Sequence, residues 1–197
     1  MTKSILSRRA FLVAGGASAL GTAAVLRGGA PPADPPLRET DSFTLATNGE
    51  APINAPGFPD WTEEQWRALD AGAWRERLSA EAYEVLRREG TERAFTSPLN
   101  NEKRDGWYAC AGCGYVLFSS EDKYDSGTGW PSFIRPISDD RIGTKPDYKL
   151  IRRRTEYHCA RCGGHHGHVF NDGPPPTGQR WCNNGVALTF VPKADLA

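Results

Sequence analysis

Nine side chains in this sequence could do redox, metal or acid–base chemistry near neutral pH: five cysteines and four histidines. Four of the cysteines form two matched units, Cys110-Ala-Gly-Cys113-Gly114 and Cys159-Ala-Arg-Cys162-Gly163. Cysteines three residues apart on a tight turn direct two thiolates at one ion, and the following glycine permits the positive φ such a turn often requires. Two such turns supply four thiolates, the donor set of a closed tetrahedral zinc site with bonds of about 2.3 Å. Four ligands leave no open position, so the ion would be structural. Because 45 residues lie between Cys113 and Cys159, the fold must bring the two turns together across a whole β segment. The competing readings are disulfides or redox-active pairs. A redox C-x-x-C opens a helix in a βαβ setting, and neither pair precedes a helical pattern.

The fifth cysteine, Cys182 in "GQRWCNNGVALTF", has no cysteine left to pair with. A lone cysteine is either buried filler or a reagent. Arg180 would lower its thiol pKa if the two side chains are close. Asn183-Asn184-Gly185 follow it, and a side-chain amide there could orient a polar substrate atom. All four histidines fall between residues 158 and 168. Three readings stand for the run "GGHHGHVFNDG": a second metal site, a solvated loop, or a pocket that His165 and His168 line as donors or proton carriers.

These groups need a scaffold. From Gly106 onward, short runs such as "GWYAC", "YVLF", "TEYHC", "HVF" and "VALTFV" alternate with Gly, Pro and Asn-Gly punctuation, which is a strand-and-turn pattern. Upstream, Thr62 with Gln65 three residues later fits a capping box that opens a short helix through Trp66 and Leu69. Ser79 reads as the N-cap of another helix, with Ala82, Tyr83, Val85 and Leu86 on its apolar face and Gly90 at its end. The expected fold is mainly antiparallel β with short helices at the N-terminal end.

The first thirty or so residues read as separate from that fold. Arg8 and Arg9 stand before an uncharged stretch from Ala10 to Leu26 that is rich in Ala and Gly, shorter than the ~20 residues of a spanning helix. A charged segment followed by such a stretch is a signal-peptide pattern, and the paired arginines before Phe11-Leu12 resemble a twin-arginine export signal. The alternative is an uncleaved membrane anchor. The expected organisation is a signal over residues 1–33, a flexible linker over 34–60 rich in Pro, Ala and Gly, and one domain over 61–194. The chain carries 24 basic and 24 acidic residues, which gives no reason to expect a nucleic-acid partner. Contact with a membrane is expected during export only, and the destination is periplasmic or extracellular.

Taken in order, "GTERAF", "CAGCGYVLFSSEDKYDSGTGWPSF" and "RTEYHCARCGGHHGHVFNDGPPPTGQRWCNNGVALTF" resemble the B-type methionine-R-sulfoxide reductases, from about Trp74 to Pro192. The resemblance implies two antiparallel β-sheets stapled by a four-cysteine zinc site formed by Cys110, Cys113, Cys159 and Cys162. It implies Cys182 as the nucleophile toward methionine R-sulfoxide in proteins or peptides, which leaves Cys182 as a sulfenic acid. By the same resemblance His165, His168 and Asn184 would hold and protonate the sulfoxide oxygen, Arg180 would stabilise the thiolate, and Trp130 with Phe133 would receive the substrate. Asp172 is expected in a supporting role. Three positions depart from the family: Thr128 where a resolving cysteine is frequent, His166 in place of leucine, and Asn183 in place of an aliphatic residue. Without that cysteine, recycling falls to an external thiol, thioredoxin-like or small. Met1 is the only methionine; a methionine-free mature chain would spare such an enzyme from being its own substrate, and composition bias explains it equally. The rival reading is a non-catalytic zinc-knuckle module that binds a partner protein.

Overall fold

The structure is a computed structural model that describes residues 51–149 and 153–196. The expected signal and the first part of the expected linker lie outside the described residues. Among the described residues three short helices come first, α1 (Glu63–Arg67), α2 (Ala71–Arg77) and α3 (Ala80–Arg88). The capping box at α1 is present in both directions: the Thr62 hydroxyl accepts from the Gln65 N–H, and the Gln65 side chain accepts from the Thr62 N–H. Ser79 caps α3 through its hydroxyl and the Ala82 N–H. The sequence pattern did not announce α2, whose N-cap is Asp70. Helix α3 ends at Arg88, two residues before the expected glycine, because Glu89 itself takes the left-handed conformation at the C-cap, with φ 55°.

Nine strands follow among the described residues: β1 (Gly106–Cys110), β2 (Val116–Ser119), β3 (Lys123–Tyr124), β4 (Ser132–Phe133), β5 (Ile142–Asp147), β6 (Arg154–Cys159), β7 (His165–Phe170), β8 (Arg180–Asn183) and β9 (Leu188–Pro192). They form two sheets, one ordered β2-β1-β9 and one ordered β3-β4-β8-β7-β6-β5. Each of these pairings is antiparallel, as the turn-rich pattern requires. Strand β1 is buried at all five positions, since it is the middle strand of its sheet and both of its faces are covered. Tyr108 and Cys110 contribute to the larger core, whereas Trp107 and Ala109 belong to a smaller cluster with Ala55, Val116 and Val191.

The larger core is aromatic. Phe118 stacks on Phe133 at 4.5 Å, Tyr157 meets Trp181 edge-on at 5.0 Å, and Tyr108 meets Phe133 edge-on at 4.9 Å. Such contacts contribute about 0.5–1.5 kcal/mol each beyond area burial. The described end of the expected linker is not free of the domain. Ala55 is buried, its N–H donates to the Gly114 carbonyl at 2.7 Å, and Asn54 bridges Tyr115. The domain therefore begins by residue 53, because Ala55 and Phe58 cover apolar surface beside the first cysteine turn.

Candidate active site and metal centre

The first cysteine turn closes the β1–β2 hairpin and the second closes the β6–β7 hairpin, so the two turns belong to different sheets. Gly114 and Gly163 both have positive φ, 73° and 69°, as a tight turn after each second cysteine demands. All four cysteines are buried and free of disulfides. Their sulfur atoms lie within 4.8 Å of one another. The Cys110–Cys162 and Cys113–Cys159 sulfurs are each 3.6 Å apart, near the ~3.8 Å edge of a tetrahedron with 2.3 Å zinc–sulfur bonds. Donor set and spacing thus fit a closed tetrahedral metal ion. Arg87 and Arg67 hold the second turn by donating to the carbonyls of Cys162, at 2.9 Å, and Ala160, at 2.5 Å. The Arg87 guanidinium also lies over Trp74, 4.5 Å from the ring centre.

Cys182 occupies the middle of the six-stranded sheet. Ser132 of β4 faces it on one side and His168 of β7 on the other. His168 in turn faces Glu156 of β6, which faces Lys145 of β5. Directly opposed residues share a face of a sheet, so Ser132, Cys182, His168, Glu156 and Lys145 form one row across five strands, spaced by about 4.8 Å. Phe133 and Trp181, one residue along on β4 and β8, point the opposite way into the aromatic core.

His165 is three residues from His168, a spacing that puts two side chains on opposite faces of a regular strand. A bulge removes the conflict. Tyr157 pairs with Gly167 but His158 pairs with His165, so His166 is an extra residue in β7. An inserted residue re-aims its neighbours. His165 returns to the face of His168, with ring centres 5.6 Å apart, while His166 turns into the core and stacks on Tyr157.

Carboxylates fix both imidazoles. His165 Nδ1 bonds Glu156 Oε1 at 2.7 Å, and His158 Nδ1 bonds the other oxygen at 3.2 Å. Burial pushes the Glu156 carboxyl up, but the two histidine bonds outweigh it and hold the group down at about 2. Glu156 is therefore an acceptor, Nδ1 of His165 carries the proton, and Nε2 is left for another partner. His168 is arranged the other way round: Nε2 bonds Asp147 Oδ2 at 2.7 Å, which leaves Nδ1. Arg154 holds the same Asp147 oxygen at 2.6 Å. Burial lowers the pKa of His168 against the opposing bond from Asp147. A cleft of about 300 Å³ opens beside this pair, lined by Glu89, Lys145, Asp147, Lys149, His165 and His168 among others.

The setting of Cys182 combines opposing influences. Burial pushes the thiol above its ordinary value, although Arg180 is close enough to pull it down, as expected, and the nearby Thr128 hydroxyl acts in the same direction. Asp172 accepts from two Arg180 nitrogens at 2.8 and 2.9 Å, which neutralises part of the cation. Two further residues have other commitments in the structure. Phe133 is fully buried and packed against Phe118 and Tyr108, because the register that turns Ser132 toward Cys182 turns Phe133 away. The Asn184 amide is committed to the backbone: Oδ1 accepts from the Glu92 N–H at 2.9 Å and Nδ2 donates to the His166 carbonyl at 2.8 Å. Trp130 lies half-buried two residues before β4 and donates its indole N–H to the Glu92 carbonyl at 3.2 Å.

Comparison with known proteins places the chain in a family. Residues 78–192 match the SelR domain family, more than half of the chain. This chain belongs to that family. Among curated relatives, the SelR-domain chain is 50% identical over 133 residues to peptide methionine sulfoxide reductase MsrB of Agrobacterium fabrum, covering 68% of this chain and 98% of the relative. It is 52% identical over 122 residues to MsrB of Methanosarcina mazei, covering 62% and 87%, and 51% identical over 117 residues to MsrB of Leptospira interrogans, covering 59% and 89%. The SelR match contains both cysteine turns, Cys182 and the histidine pair. It also contains the residues that reading by motif missed, Glu156, Asp147 and Glu92. A signal for Glu156 was available, since an acid in alternation with His158 inside the strand-like run "RTEYHC" must face the same side as that histidine. Nothing local to Asp147 or Glu92 announces a role, because each acts on residues far along the chain.

Proposed function

We propose that this protein reduces methionine sulfoxide in peptides, and specifically the R epimer, with Cys182 as nucleophile. The observation that carries the reading is the half-buried Cys182 sulfur in one cross-strand row with His168, beside a His165 whose tautomer is set by an ionised Glu156. The relatives named above, reductases at about half identity, support the reaction class.

In this reading the Cys182 thiol gives up its proton, its sulfur attacks the sulfoxide sulfur, and the sulfoxide oxygen gains a proton through the His165–His168 pair. The oxygen passes to Cys182 as the bond to the substrate sulfur breaks. The sum is thiol plus sulfoxide giving sulfenic acid plus methionine, a two-electron oxidation of Cys182. Because the free thiol lies above its ordinary pKa, it is mostly protonated before substrate binds, so the thiol proton itself is available to the oxygen. Trp130 supports a place for the substrate methyl group, an aromatic wall against soft sulfur.

Thr128 cannot form the disulfide that a cysteine there would form. Its hydroxyl bonds Ser126 at 2.8 Å, and Ser126 bonds Ser132 at 2.8 Å. An external thiol then attacks the sulfenic acid to form a mixed disulfide and release water, and a second thiol attacks that disulfide, returning Cys182 as the thiol and releasing the external disulfide. The four-cysteine centre holds zinc as a structural ion that braces the fold and takes no part in these steps.

The test is a single turnover of the metal-loaded protein with each epimer of N-acetyl-methionine sulfoxide and no reductant. The expected result is methionine in stoichiometric amount from the R epimer alone, with one oxygen added to Cys182 by mass; Cys182→Ser forms none. Methionine from the Cys182→Ser variant, or none from the wild type with either epimer, would overturn the reading; the second result favours the binding-module alternative.

A further inference from the structure

Phe95 combines two features that a folded chain ordinarily avoids. It is a bulky residue with φ 66°, in the left-handed region that favours glycine, and its side chain is 73% exposed. Neither follows from a loose segment. The strap around it is tied at many points. The Glu92 carboxylate accepts the N–H groups of Gly185 and Val186, at 2.5 and 3.0 Å. The Glu92 backbone bonds Asn184 and Trp130. The Phe95 N–H donates to the Gly129 carbonyl at 2.8 Å, and Asn100 donates to the same oxygen at 2.9 Å. Backbone strain persists where the surroundings over-determine it, and such residues gather at functional sites.

The ring lies against the segment next to the site. A Cβ on Gly129 would come within 2.8 Å of the Phe95 ring, so the ring lies on that glycine. Gly129 separates Trp130 from Thr128, whose hydroxyl bonds Ser126, which in turn bonds Ser132 opposite Cys182. Phe95 thus stands outside the catalytic row, next to the segment that covers it. A methionine sulfoxide side chain engaged by Cys182 and the histidine pair would leave this ring to the neighbouring residues of an extended polypeptide, which lie about 3.3–3.6 Å per residue along the chain.

We propose that Phe95 is a specificity-determining residue that packs against an apolar side chain flanking methionine sulfoxide, so that peptides with an apolar neighbour are favoured over peptides with glycine there. This rests on the reductase reading and names its substrate class. An exposed ring held in place before binding offers apolar area at little further entropic cost.

The test measures steady-state reduction, with dithiothreitol, of three R-sulfoxide substrates: the free amino acid, a peptide with glycine on both sides of the sulfoxide, and the same peptide with leucine on both sides. Phe95→Ala is expected to raise KM for the leucine-flanked peptide about tenfold, the scale of a lost apolar contact, with kcat held and with the other two substrates little changed. Phe95→Leu should restore most of the loss. Phe95→Gly removes the ring while relieving the left-handed strain, so it should lose the same discrimination with a raised melting temperature. Equal losses on all three substrates would make Phe95 a mere support of the site and overturn the inference, as would no loss on any. A wild type inactive on all three would overturn the reductase reading and this inference with it; a wild type active but indifferent to flanking residues overturns this inference alone.

Discussion

Among single residues, His166 has the least to gain from its position. It is fully buried, and neither ring nitrogen has a hydrogen-bond partner. Burial lowers its pKa from 6.5 to about 4. The folded state therefore keeps the ring neutral where the unfolded chain would already take up a proton. Between those two values the unfolded state binds more protons, so stability falls as pH drops from 6.5 toward 4 and is unaffected by this group above 6.5. His166→Leu keeps the approximate volume and removes both orphaned nitrogens, whose desolvation costs about 1–3 kcal/mol. The variant should be more stable by about that amount at pH 7, and by more at pH 5, in paired denaturant titrations. A variant less stable at both pH values would mean that the nitrogens have partners and that the ring is a structural tie.

The hairpins carry the next level of organisation. Each cysteine turn is a hairpin end, and the two ends come from separate sheets that share one aromatic core. A metal ion held by all four sulfurs ties residues 110–113 to 159–162 and is folding energy in its own right. Stripping it leaves four buried thiols, with weaker ties such as Arg161 over the Tyr115 ring to join the turns at that edge. Metal analysis alongside calorimetry should find zinc near stoichiometric in the intact protein. Chelation under mild denaturation should lower the melting temperature by about 10 °C, as expected for a loss of about 4 kcal/mol in a domain of this size. An unchanged melting temperature after the metal is gone would remove the ion from the stability of the fold. The same hairpins explain the histidine face: the bulge in β7 lies just past the second turn and brings His165 round to His168.

At the scale of the whole chain, we propose that the paired Arg8-Arg9 and the uncharged stretch behind them direct export by the twin-arginine route. A chain exported in the folded state would carry with it a metal ion loaded in the cytoplasm. Replacing Arg8 and Arg9 together by lysine should leave the full-length protein in the cytoplasm on cell fractionation, while the wild type appears beyond the membrane in a shortened form with its metal. Equal export of the double variant would sink the signal assignment.

Much of this protein was legible from residue order alone, wherever the physics is local. The paired C-x-x-C-G turns declared a four-thiolate site because ligand spacing and turn geometry are properties of five consecutive residues. Thr62, Gln65 and Ser79 marked helix starts for the same reason. The alternation after Gly106 pointed to antiparallel strands, and the odd cysteine stood out by simple pairing. What only the tertiary structure decided depends on register and burial. Phe133 and Ser132 are neighbours in sequence, yet one enters the core and the other faces Cys182, because side chains alternate across a strand and the pairing sets which face is which. His165 and His168 share a face only through a bulge. Asn184 is drawn into backbone bonds by Glu92 and His166, which lie 92 and 18 residues away. The cysteine thiol rises although Arg180 is near, since desolvation depends on everything packed around a group and charge order along the chain does not report it.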